Sequence, residues 1–383
     1  MTRALRFELS YRLVGKLLGV YVDDAMAAAW REDMGVDALT AETLIEGLLG
    51  PGAYAHSKYE RTDESNRRLD VLGYTLCLRQ LILTISCRNW LKTAAGFFAV
   101  DTSRPVPVAT MEKLSSWAAR YAKICRPLKP FVTTLYGSHS WMSNRNASIV
   151  LTEEVVTVVW MWRAMLCVLE LNEQRFARPF KSFLPRDPRV VARFDSSLSG
   201  IGILLGWIVD GTFPEWFGGC SLSLTALEFG SDASFQNVAE FIGMNCASIA
   251  LVKAGLTEEG IILEGDSTSA LSWAINEHYR GDRVKNASIV HTALGLEKGV
   301  TYGGSNHIPG KDDGTDAING KCDALSRGQS LDQIGLGHIT NYNLDDIPAV
   351  RTLISCCDPR NTREDETSFA QLWNNIFSAV RQL

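Results

Sequence analysis

Four carboxylates in the second half of the chain are spaced for divalent-cation chemistry. Asp195 follows an apolar strand-like run, Glu240 lies in a helical pattern, Asp266 ends another strand, and Asp323 stands in NGKCDALSR, where a helix should start. Magnesium is a hard ion that prefers oxygen ligands and keeps part of its water, so phosphodiester hydrolysis needs several convergent carboxylates rather than a thiol cage. Any one acid after a strand is ordinary surface, and the expectation rests on the joint spacing. A second acidic pair, Asp23 and Asp24, sits in GVYVDDAM between two apolar runs. That is the pattern of a tight hairpin with an acidic tip. The nine cysteines include no Cys-x-x-Cys pair and read as reduced thiols of an intracellular protein.

The elements that must position these acids follow from periodicity. Lys16 to Ala29 reads as the hairpin, Thr40 to Leu49 as a helix, and Leu69 to Ser86 as two short strand-like runs around Arg79 and Gln80. Asn89 to Phe98 and Thr110 to Cys125 read as helices joined by a proline-rich connector, Arg104 to Val108. Val155 to Leu171 is apolar but carries Arg163 and Glu170 and is shorter than the ~20 residues of a membrane span, so it reads as a buried helix. Past the prolines of Ser182 to Pro188 the pattern turns to strands. These are Arg189 to Phe194, Gly200 to Val209 and Phe213 to Leu222, then a helix from Asn237 to Lys253, a strand from Gly260 to Glu264 and a helix from Ser267 to Glu277. Strands followed by alternating helices and strands predict one mixed α/β sheet.

At 383 residues the chain is long enough for two or three domains, and its 46% hydrophobic and 21% charged residues exclude bulk disorder. The net charge of −5 lacks an overall basic signature, so nucleic-acid binding would need a local patch. One exists: between Lys58 and Lys129 thirteen Lys and Arg face six acids, a net charge of +7. Such an excess fits a phosphate-backbone track or an ordinary solvated surface. No secretory signal is evident, since Glu8 and Lys16 interrupt the apolar positions of the amino terminus.

Four blocks in order, FDSSLSGIGILL, NVAEF, LEGDSTSALSWA and HIPG followed by NGKCDALSR, resemble the ribonuclease H domain of retroelement polyproteins. The resemblance implies that Asp195, Glu240, Asp266 and Asp323 hold two Mg²⁺ ions, with Mn²⁺ able to substitute, and that His307 is the loop histidine before the last acid. The stretch KDDGTDAI is longer than usual for that family. Upstream, GVYVDDAM is similar to the Tyr-x-Asp-Asp hairpin of a reverse-transcriptase palm, which makes Asp23 and Asp24 metal ligands. VLGYTL resembles the primer-grip strand after it, and Met111 to Leu135 resembles thumb or connection helices. The absence of an integrase pattern fits retrotransposons of the tyrosine-recombinase-encoding type.

The expected fold is thus α/β: a partial palm over residues 1–100, a helical thumb or connection over 101–185, a ribonuclease H-like mixed-sheet domain over 186–330, and a tail of unknown role over 331–383. Only 22 residues precede Asp23, too few for the upstream palm aspartate and fingers, so the chain reads as the carboxyl-terminal part of a polyprotein. The expected activity is metal-dependent hydrolysis of RNA in RNA–DNA hybrids. Polymerase activity is expected only of a full-length parent. The partners implied are the hybrid, a template-primer duplex and the missing amino-terminal part of the polymerase, with no membrane. The alternatives are a non-catalytic nucleic-acid-binding relic and a pseudogene product.

Overall fold

The computed structural model describes residues 17–21, 24–28, 39, 42–43, 46, 68–71, 73–168, 177–180, 187–209, 214–227, 234–257, 259–276, 282–309, 317–358 and 366–383. Two compact units divide the chain, residues 1–69 and 70–383. In the smaller, β1 (Leu17–Tyr21) and β2 (Asp24–Ala28) pair antiparallel with Tyr21 opposite Asp24. This is the tight hairpin that two apolar runs around an acidic tip predict. Asp23 lies outside the described residues. Of the helix expected at Thr40 to Leu49, the described positions Glu42, Thr43 and Glu46 are helical.

β3 (Arg68–Val71) crosses the boundary between the two units, and a four-stranded sheet runs in the order β3, β4 (Tyr74–Cys77), β5 (Ile82–Ile85) and β8 (Arg178–Pro179). The segment VLGYTL, expected as one strand, is instead broken between β3 and β4. Gly73 takes a φ of +89°, and a Cβ there would meet the Arg120 guanidinium and the Asn89 amide, so only glycine fits. Helix α1 (Cys87–Ala99) and α2 (Val108–Ile124) follow, then a 3₁₀ turn (Arg126–Leu128) and α3 (Lys129–Gly137). Within the connector before α2, the two-residue strand β6 (Val106–Pro107) pairs with β7 (Ser148–Ile149). Helix α4 (Glu153–Val168) carries the apolar stretch. Its Trp162 is fully buried, stacked on Phe97 at 5.4 Å and edge-on to Tyr121 at 5.7 Å. Among the described residues no helix is long and apolar enough to cross a membrane.

Alternation and turn chemistry build the second sheet. β9 (Val190–Ser196), β10 (Gly200–Trp207) and β11 (Glu215–Ser223) form an antiparallel meander. After α5 (Ser234–Lys253), β12 (Ile261–Gly265) returns parallel to β9. After α6 (Thr268–Asn276) and α7 (Asp282–Glu297), β13 (Gly304–His307) lies parallel to β12. Parallel neighbours need such crossovers, and β9, buried along its length, is the central strand they imply. The order is β13-β12-β9-β10-β11-β14, where β14 (Thr340–Asn341) adds a short edge.

Successive residues of β9 face opposite sides, and the two sides are covered by different helices. Phe194 and Ser196 meet α5, where a Cβ on Gly243 would strike both. Asp195 pairs with Gly202 on the other face, against α8 (Ala317–Ser326). A Cβ on Gly202 would collide with the Cys322 carbonyl, so this glycine lets α8 sit directly on the strands.

In the segment 331–383, expected as a tail of unknown role, the described residues include two helices. Helix α9 (Pro348–Cys357) and α10 (Glu366–Arg381) bury Leu353, Trp373, Ile376 and Phe377 in the same apolar core as Phe97, Trp162 and Phe194. Helix α10 packs against both α4 and α7, and Arg163 of α4 pairs with Glu366 at 2.9 Å.

Candidate active site

The topology delivers acids from four elements to one end of the sheet. Asp195 lies near the carboxyl end of β9, and Asp266 directly follows β12, the neighbouring parallel strand. Glu240 comes from α5 on one face and Asp323 from α8 on the other. His307 ends β13, exposed, with Nε2 donating to the Asp266 carbonyl at 3.0 Å.

Burial and neighbouring charges act on three of these carboxyls. Burial pushes the Asp195 carboxyl up to about 6; the Ser326 hydroxyl opposes the rise, and Asp266 and Asp323 add to it. Burial pushes Glu240 further, to about 8, against the Gln236 hydrogen bond and with help from Asp266 and Asp195. Asp266 is raised by burial, with His307 opposing and Asp323 adding. Asp195, Glu240 and Asp266, raised by burial and by acidic neighbours, make a site short of positive charge.

Each acid is held by a neighbour. Ser326 donates to Asp195 Oδ2 at 2.8 Å. Gln236 Nε2 donates to Glu240 Oε1 at 2.9 Å and to the Ser196 carbonyl at 2.6 Å. Glu240 Oε2 is buried with no hydrogen-bond partner, which is costly for a carboxylate oxygen unless a cation or proton serves it. Arg327 grips Asp323, its Nε lying 2.8 and 2.9 Å from the two carboxylate oxygens. Ser326 lies within the DALSR block, and Gln236 is one helical turn before Glu240, a spacing at which side chains meet.

A hard divalent cation matches this donor set: oxygen-only ligands, raised carboxyls and an unserved buried oxygen. The side chains are not closed around one. Among the described residues no three His, Cys, Asp or Glu side chains are grouped to hold a metal ion. Asp323 would have to turn from Arg327 to join such a group. Of the second expected acidic pair, Asp24 begins β2 and Asp23 is outside the described residues.

The class this architecture defines is an α/β protein whose mixed sheet has ribonuclease H-like topology: a three-stranded meander extended by two parallel strands, with acids at the ends of the central pair. Among solved structures the chain is similar to the foamy viral protease-reverse transcriptase dRH in complex with double-stranded DNA, at 13% identity and a TM-score of 0.33 over 74% of this chain and 45% of that one. The foamy viral protease-reverse transcriptase with double-stranded DNA matches at 15% identity and 0.33, over 70% and 50%. The same protein with an RNA/DNA hybrid matches at 13% and 0.30, over 79% and 37%. The chain thus spans half or less of those chains. No family model matches it, and no curated protein does.

Proposed function

We propose that the chain is a metal-dependent ribonuclease that hydrolyses the RNA strand of an RNA–DNA hybrid, with Asp195, Glu240, Asp266 and Asp323 as ligands of two Mg²⁺ ions. The observation that carries this reading is the placement of Asp195 and Asp266 at the ends of adjacent parallel strands, within the field of Glu240 and Asp323. Bound divalent ions supply Lewis acidity there, making water a nucleophile at neutral pH and stabilising the leaving 3′ oxygen.

The chain's own residues prepare that chemistry. Ser326 fixes one oxygen of Asp195, and Gln236 fixes one oxygen of Glu240, so in each case the second oxygen is the one presented. Glu240, raised to about 8, must release its proton before it can act as a ligand. In this reading His307, whose Nε2 donates to the Asp266 carbonyl, would hand a proton from Nδ1 to the leaving oxygen. RNA-directed DNA polymerase activity is proposed only for a longer protein that carries the rest of a palm.

One observation favours a second reading, a non-catalytic nucleic-acid-binding relic: Arg327 already neutralises Asp323. A labelled hybrid incubated with the protein and Mg²⁺ separates the two. The ribonuclease reading expects cleavage of the RNA strand of the hybrid, with single-stranded RNA and duplex DNA left intact. Binding of the hybrid without cleavage, in Mg²⁺ and in Mn²⁺ alike, would support the relic.

A further inference from the structure

One pleat below the acids, the same two strands carry a buried ion pair. Side chains two apart on a strand share a face and stand ~6.6–6.8 Å apart along it. Arg193 therefore lies beneath Asp195, and Glu264 comes two residues before Asp266. Arg193 and Glu264 are direct partners in the β9–β12 register, and theirs is the last pair of that ladder. Beyond it β9 and β12 share no further registered pair, while β9 stays paired with β10 at Asp195 and Ser196 and β12 with β13 at Gly265.

The pair is fixed from several directions. Arg193 Nε and one terminal nitrogen both donate to Glu264 Oε2, at 3.1 and 2.7 Å. Asn306 of β13 donates to the other oxygen, Oε1, at 3.2 Å. The guanidinium lies over the Trp216 ring of β11, 5.3 Å from its centre. The two side chains keep only 5% and 11% of their surface. Stability alone does not explain such a pair, because two charges removed from water are commonly replaced by apolar residues without loss. Apolar contacts, however, are not directional, whereas these hydrogen bonds allow one register and one strand separation.

We propose that Arg193 and Glu264 are positioning residues that set the separation of Asp195 and Asp266 by pinning the last β9–β12 rung. The proposal rests on the ribonuclease reading. The pair does not touch substrate. It holds the two strand ends from which the central carboxylates project.

The test compares two double variants with the wild-type chain. Arg193→Met/Glu264→Leu removes the charges and the directional bonds together. Arg193→Gln/Glu264→Gln removes the charges but retains an amide pair that can hydrogen-bond across the strands. Melting temperature reports folding, calorimetric titration with Mn²⁺ reports the carboxylate geometry without any need for turnover, and hybrid cleavage gives kcat and KM. The apolar pair is expected to melt near wild type, to bind Mn²⁺ at least ~10-fold more weakly and to lose ~10–100-fold in kcat with KM held, the scale set by displacements of ~1 Å. The Gln pair is expected to recover most of the Mn²⁺ affinity.

Undiminished Mn²⁺ affinity in a folded apolar pair would overturn the positioning role and leave the ribonuclease reading standing. Should the apolar pair fail to fold, Arg193→Lys decides, since it keeps the charge and loses the two-point grip on Glu264: weakened Mn²⁺ affinity in the folded Lys variant supports the role, and undiminished affinity overturns it. Wild-type protein that shows no Mn²⁺ binding dependent on Asp195 and Asp266 would overturn the positioning role and the ribonuclease reading together.

Discussion

The Ser326 hydroxyl donates to Asp195 Oδ2 across 2.8 Å, tying the last turn of α8 to the end of β9. Asp195 is buried to 6% exposure, so few water molecules could replace that bond. Ser326→Ala should destabilise the fold by ~1–3 kcal/mol in urea denaturation at neutral pH, the cost of leaving a buried acceptor unserved. Because the hydroxyl lowers the Asp195 pKa, its loss should also move the acid limb of the cleavage profile to higher pH. An unchanged limb would show that Asp195 does not titrate in the reaction.

Glu240 sets a pH dependence of stability. Its carboxyl is raised from 4.5 to about 8 in the folded chain, so the folded state binds the proton more tightly than the unfolded state between those values. The linked stability is fully present below about 4.5 and is lost as pH rises through about 8. Metal-free protein should therefore melt at progressively lower temperature across that window. Glu240→Gln, which cannot ionise, should flatten the profile, and a melting series in EDTA reads the difference.

The carboxyl-terminal helices should be required for the fold. Trp373 is fully buried and stacks on Phe377 at 5.2 Å. Trp373→Ala should cost ~3–5 kcal/mol by urea denaturation, the range for a large core aromatic. A loss below ~1 kcal/mol would mean that α10 does not pack on α4 and α7 in solution.

Much of the sheet was legible because its signals are local. The run Arg189 to Phe194 appears as β9 over Val190–Ser196, and Asn237 to Lys253 appears within α5. Helix α7 was missed because it buries Ser288, His291 and Thr292, which blurs its apolar period. Thr292 bonds back to the Ser288 carbonyl one turn earlier at 2.9 Å, whereas His291 is accommodated by tertiary contact, its Nδ1 3.1 Å from Asn245 Oδ1. Helix α10 did carry a readable stripe at Phe369, Leu372, Trp373, Ile376 and Val380, at the spacing of a helix face. The four acids were readable from their blocks, whereas Arg193 and Glu264 were not, since their pairing exists only once the register of β9 on β12 is known.

The basic excess between Lys58 and Lys129 should give hybrid binding a steep salt dependence. Removing one cation that pairs with a phosphate should reduce the slope of log K against log salt by ~0.9 for a duplex. Lys92, which lies over the Trp117 ring at 5.3 Å, Arg104 and Lys113 are test positions on or next to the α1 and α2 helices. Replacing all three by Gln should lower the slope by ~2–3, and a slope unchanged by the triple variant would place the track elsewhere.

The central claim is that the carboxylates at the ends of β9 and β12 perform hydrolysis, and cleavage of a labelled RNA–DNA hybrid in Mg²⁺ by wild-type protein and by Asp266→Asn tests it most directly. The exchange keeps the shape of the side chain and removes its charge. Cleavage by the wild type, reduced at least ~100-fold in a variant that still binds the hybrid, is the predicted result. Equal cleavage by the two proteins, or none by either, would contradict the account.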